Sequence, residues 1–213
     1  MKKWMKLIAL EWFVLRKDPK VRIKLMISFL LVLYVLLFSM VETGSNVLPF
    51  FFFGFFFVSP LIDYSFYMQR VRKRFPVLLG KGYTLTQIFL AKTAVIFAAG
   101  LVSGTIFTLL ALYLNRPGIL HAHFENRYLI YFITVAVFSL WMIVFSGLIQ
   151  TRFEIIFPLR LLNIMAFILF VNFQTSVVDG FLQSYNSVII AVLLILTALS
   201  FFLAGRLNKD KIV

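Results

Sequence analysis

The chain has 213 residues, 62% of them hydrophobic and 14% charged, with a mean hydropathy of +0.99. Soluble domains are about half apolar and about a quarter charged, so this composition excludes an ordinary water-soluble domain, and the lack of cysteine excludes disulfides and thiolate metal sites. The formal net charge of +13 gathers at the ends of apolar runs, which suits membrane orientation and anionic lipid rather than nucleic acid.

Residues 1–24 hold eight Lys and Arg against two acids, and the apolar run behind them lacks an A-x-A-like exit. They read as a cytoplasmic segment leading into a retained span, not a cleaved signal. At about 100° per residue, Trp4, Met5, Leu7, Ile8, Trp12 and Leu15 share one side, with Lys2, Lys3, Lys6 and Lys17 opposite. Leu10 and Phe13 break the pattern. The prediction is an amphipathic interfacial helix with tryptophans at headgroup level, used for lipid anchoring or also for docking.

Beyond it, runs of about 20 apolar residues predict six spans, near 25–41, 47–66, 87–114, 128–149, 155–174 and 186–205. Dyad alternation is absent, so the fold class is all-α and not a β-barrel. In the second span, PFFFFGFFFVSP (residues 49–60) reads as lipid-facing bulk, with Gly54 permitting a contact. Asp63 lies a few residues inside the cytoplasmic end of that span.

The loop at 67–86 carries Arg70, Arg72, Lys73, Arg74 and Lys81. Within it, Phe75-Pro76-Val77-Leu78-Leu79 starts a short helix, because proline fits the first helical position. Gly80 and Gly82 supply a stop. Thr84-x-x-Gln87 is a capping-box pattern that starts the third span near Leu85. Such a turn exposes Phe75, Leu78, Leu79 and Tyr83, which need cover from the interface or from a groove on a cytoplasmic partner.

Lys92, inside the third span, is expected to pair with Asp63 at similar depth, with snorkelling to the headgroups as its alternative. Gly100-x-x-x-Gly104, beside Ala99 and Ser103, offers a smooth face for helix packing. The outer loop at 115–127 contains His121, His123 and Glu125, too few ligands and too little support for a zinc site, so no metal is expected. In the fifth span, Asn163, Asn172 and Gln174 read as interhelical glue or path lining. The 175–185 loop has room for at most a brief re-entrant turn holding Val177, Val178, Phe181 and Leu182.

Of the 21 Lys and Arg residues, only Arg116 and Arg127 fall on the outer side. Both termini are therefore expected in the cytoplasm, with the chain in the plasma membrane and 206–213 as a cytoplasmic tail. No catalytic constellation accompanies the spans. Phe75 stands where a phosphate-binding loop needs its first glycine, and Gly82 where it needs Ser or Thr. No nucleophile–base pair and no H-E-x-x-H pattern is present, so the chain is not read as an enzyme.

An interfacial helix at 1–24, a six-span domain at 25–205 and a leucine-bearing cytoplasmic loop before Lys92 resemble an ABC-2-type permease, the membrane subunit of type V ABC exporters. The motif residues are Leu78-Leu79, the Gly80-Lys81-Gly82 turn and Ala91-Lys92. The acidic residue common in that loop is replaced by the basic run, and the turn carries glycines instead of proline. The resemblance implies that residues 75–83 form a coupling helix. With the 1–20 helix they would contact a separate ATPase subunit through Phe75, Leu78, Leu79, Tyr83, Trp4, Ile8 and Trp12. It also implies export by alternating access as a homodimer or beside a related permease, with ATP and Mg on the ATPase and no cofactor here. The alternative is a non-transport membrane protein (scaffold, sensor or immunity factor) without an ATPase.

Overall fold

Two prolines shape the N-terminal part of the chain. A residue before proline is pushed out of the helical region, and so α1 (Lys2–Lys17) stops and α2 (Pro19–Glu42) begins across Asp18. Asp18 caps the new helix: the Lys20 N–H donates to its Oδ1 at 2.9 Å. The N-terminal helix thus ends at Lys17, short of the residue 24 boundary expected from charge, and 19–24 already belong to α2.

The second proline, Pro60, lies inside α3 (Leu48–Ile62). It lacks the N–H that would bond one turn back, and its ring crowds that carbonyl. Just beyond it the chain winds into a wide π-helical turn, Asp63–Met68. That turn aims several consecutive side chains at different neighbours.

The computed structural model describes residues 2–42, 48–68, 74–114, 126–153 and 176–206. The fifth expected span, with Asn163, Asn172 and Gln174, lies outside them. So do Arg70, Arg72 and Lys73, the outer-loop His121 and His123, and the tail from 207.

The short helix α4 (Arg74–Gly80) ends as its glycines require. Gly82 takes φ 75°, its N–H donates to Leu79 O at 2.9 Å, and the Tyr83 N–H donates to Leu78 O at 3.3 Å. This is a Schellman stop. The next helix, α5 (Leu85–Leu114), opens with the expected capping box. Thr84 N–H donates to Gln87 Oε1 at 3.1 Å, and Gln87 N–H to Thr84 Oγ1 at 3.2 Å.

Helices α6 (Asn126–Phe153) and α7 (Ser176–Gly205) complete the described chain. Because α7 already starts at Ser176, the stretch read as the 175–185 loop is helical from there on. All regular structure among the described residues is helical, and three segments are long and apolar enough to cross a membrane: Leu85–Leu110, Phe132–Thr151 and Ser187–Gly205.

Helix α5 is central and touches α1, α3, α6 and α7. Its closest approach is to α3. A Cβ placed on Gly54 would lie 2.0 Å from Gly104 N, so the two backbones meet where no side chain fits. Ser103 Oγ donates across the crossing to Gly54 O at 2.9 Å. Gly100, one turn away, receives the Phe55 ring, which a Cβ would approach to 2.4 Å. Phe55 is buried, so this part of the phenylalanine run packs inward rather than toward lipid.

Candidate functional site: a buried polar junction beneath the basic end

On α1, Leu7, Glu11 and Leu15 are spaced by one helical turn and all three are buried. This stripe packs on α5 and on the π-helical turn. Trp4 and Trp12 remain exposed, and Ile8 is partly buried against the core. Exposed tryptophans with a basic opposite face suit an interfacial helix, while the leucines bind it to the bundle.

Glu11 is the one acid on that apolar stripe, and it meets Lys92 of α5. The Lys92 ammonium donates to Glu11 Oε1 at 3.0 Å and to Ser65 O at 2.8 Å, with Ser65 Oγ at 3.4 Å. The Ser65 hydroxyl donates in turn to Glu11 Oε1. Lys92 is 1% exposed and Glu11 4%. An ammonium at this depth is tolerable only with its charge matched and its donors used, and both conditions are met here.

Aromatic rings close the site. Lys92 Nζ lies 5.2 Å from the Phe75 ring centroid and 6.0 Å from that of Phe66, within cation–π range. Phe66 and Phe75 also pack on Phe89, at centroid separations of 5.0 and 6.5 Å. One lysine on α5 therefore gathers α1, the π-helical turn and α4.

The rest of the π-helical turn reaches elsewhere. Asp63 accepts a hydrogen bond from Gln150 Nε2 of α6 at 2.7 Å, and Tyr64 donates to Asp18 between α1 and α2. The expectation joined Asp63 to Lys92; the structure gives Lys92 its ion pair with Glu11 and turns Asp63 toward α6. The physical reason is the π-helical winding, which places Asp63 and Ser65 against different helices.

The short loop helix also differs from its expected exposure. Phe75 is fully buried and Leu78 is 7% exposed, with Leu79 and Tyr83 partly buried against the same core. These residues find their cover within the chain. Val77, at 57% exposure, and Lys81 form the outward tip instead.

Glu11, Ser65 and Gln150 were missed as site residues by sequence reasoning. A usable signal existed for Glu11, since an acid flanked at i±4 by leucines on an apolar face requires a buried cation. No comparable local signal marks Ser65. On α6, Ser139, Ser146 and Gln150 form one buried stripe, as their 7- and 11-residue separations dictate. Both hydroxyls and Gln150 Oε1 are without a hydrogen-bond partner among the described residues. No family model, no curated protein and no solved structure matches the chain.

Proposed function

We propose that this chain is the membrane-spanning subunit of an ABC exporter of the ABC-2 type, with six spans and both termini in the cytoplasm. A separate ATPase subunit binds and hydrolyses ATP with Mg, and the permease acts as a homodimer or beside a related permease. The observation that carries this reading is the junction at Lys92. It ties a short loop helix and an interfacial helix to the same span, so that a load on the loop reaches the bundle without slack.

The chain of transmission runs through named contacts. Force on the Val77–Lys81 tip enters α4, passes through the buried Phe75 ring to Phe89 and Lys92, and moves α5 together with α1 through Glu11. The Gly54–Gly104 crossing carries the same motion into α3. Packed interiors resist continuous deformation, so these elements tilt together. The polar stripe on α6, whose Ser139 and Ser146 hydroxyls and Gln150 Oε1 lack a hydrogen-bond partner among the described residues, supports a path over a purely structural bundle, because buried polar atoms left unpaired cost about 1–3 kcal/mol each and a polar substrate or water can pair with them.

The ATPase contact is assigned to the exposed tip, with Phe75 and Leu78 acting behind it as the rigid link. Purification from native membranes in mild detergent should bring down an ATP-binding-cassette subunit in stoichiometric amount. Val77→Asp combined with Lys81→Glu should release that subunit while membrane insertion stays normal. A chain isolated without any ATPase, or a complex untouched by the tip substitutions, would overturn the assignment.

A further inference from the structure

A long groove runs between α1, α2, α3 and α5, with a volume of about 930 Å³. That lies within the range of about 300–1,000 Å³ typical of ligand-sized sites. Leu25 of α2, Val58 and Leu61 of α3, and the α5 face from Ala94 to Ile106 build its walls. Alanines at 94, 98 and 99 make it deep. Its length along α5, at about 1.5 Å per residue, comes to roughly 18 Å, close to the hydrocarbon depth of one leaflet, about half of 30 Å.

The mouth has a different chemistry. Arg16 and Arg22 line it together with Trp12. Arg22 Nε donates to the backbone carbonyl of Arg16 at 3.0 Å, which ties the Arg22 side chain to the end of α1. Both are exposed, and neither forms an ion pair with a carboxylate among the described residues. Guanidinium groups match phosphate oxygens in geometry and charge, and an indole ring suits the headgroup level beside them.

We propose that this groove binds one anionic phospholipid, its acyl chain along α5 and its headgroup phosphate between Arg16 and Arg22. The site requires only that α5 crosses a membrane and is indifferent to whether an ATPase binds. A second copy of the chain is the poorer occupant. A two-fold contact through this face would bring each arginine pair toward its own counterpart, an arrangement of like charges.

Trp12 provides the probe. With Trp4→Phe and Trp141→Phe it becomes the sole tryptophan of the three in the chain. The protein is placed in phosphatidylcholine bilayers containing increasing brominated phosphatidylglycerol or, separately, brominated phosphatidylcholine, and Trp12 quenching is followed. At about 1 kcal/mol per basic residue near an anionic lipid, each arginine contributes about a fivefold preference. The brominated anionic lipid should therefore reach half-quenching at least fivefold lower mole fraction.

Arg16→Gln with Arg22→Gln should bring the two lipids level, whereas Arg16→Lys with Arg22→Lys should keep most of the preference. Lys20→Gln with Lys24→Gln, which removes as much charge beside the groove without touching its lining, should keep it too. Ala98→Phe should reduce quenching by both lipids and tests the groove even where an arginine variant folds poorly. Equal quenching in the parent, a preference that survives the glutamine variant, or equal loss with the lysine-site variant would each overturn the proposal. So would quenching by neither lipid together with cross-linking of two copies at residue 12.

Discussion

Replacing either member of the Lys92–Glu11 pair leaves the other charge buried, so the pair should be strongly coupled. Glu11→Gln keeps shape and an acceptor oxygen but removes the counter-charge, leaving the ammonium beside the neutral acceptors Ser65 O at 2.8 Å and Ser65 Oγ at 3.4 Å. Lys92→Met keeps the apolar stem and removes the ammonium from the Glu11 carboxylate, which still accepts from the Ser65 hydroxyl. Breaking one side of a buried ion pair typically costs about 3–5 kcal/mol. The double variant removes both charges of the pair. Its remaining loss is the hydrogen bond to the Ser65 carbonyl, at most about 1–3 kcal/mol. The two single losses together exceed the double loss by about 3 kcal/mol or more on these figures. Reversible denaturation in mixed micelles, followed by tryptophan fluorescence, measures all four corners of the cycle. Additivity within about 0.5 kcal/mol would refute the buried pair as the link between α1 and α5.

Two further comparisons rest on glycines in different surroundings. Gly54→Ala drives a Cβ into the Gly104 backbone, 2.0 Å away, whereas Gly100→Ala meets the Phe55 ring, which can rotate. Gly54→Ala should cost about 3 kcal/mol or more and Gly100→Ala less, and equal denaturation midpoints would reject the tight α3–α5 crossing. In the loop, Gly80 has open space at its Cβ position, while Gly82 adopts φ 75°. Gly80→Ala should stabilise by about 0.5–1 kcal/mol, and Gly82→Ala should destabilise by about 1–2 kcal/mol. The opposite ordering, measured by the same denaturation or by proteolysis at the loop, would reject the Schellman stop.

The local features were legible in the sequence because their causes are local. Thr84 and Gln87 lie one turn apart wherever the chain places them, so a capping box follows from spacing alone. Gly82 ends α4 because it adopts a positive φ at little steric cost. Long apolar runs make α5, α6 and α7 helices that can cross a membrane. Asp18-Pro19 was equally legible as a helix boundary but was hidden by the uniform basic charge around it.

The polar junction depended on more than spacing. Lys92 required a carboxylate at its own depth, and the spans offered Asp63, while Glu11 was assigned to a helix outside them. The π-helical turn after Pro60 decided between them by aiming Asp63 at Gln150 and Ser65 at the ammonium. In the same way, the apolar periodicity of residues 75–83 announced a face to be covered but carried no information about its cover. Phe89 and Lys92, on the next helix, cover Phe75. Helix propensity and capping act over a few residues, whereas the choice of a buried partner is made by how separate helices rotate against one another. A single widened turn is enough to change that rotation.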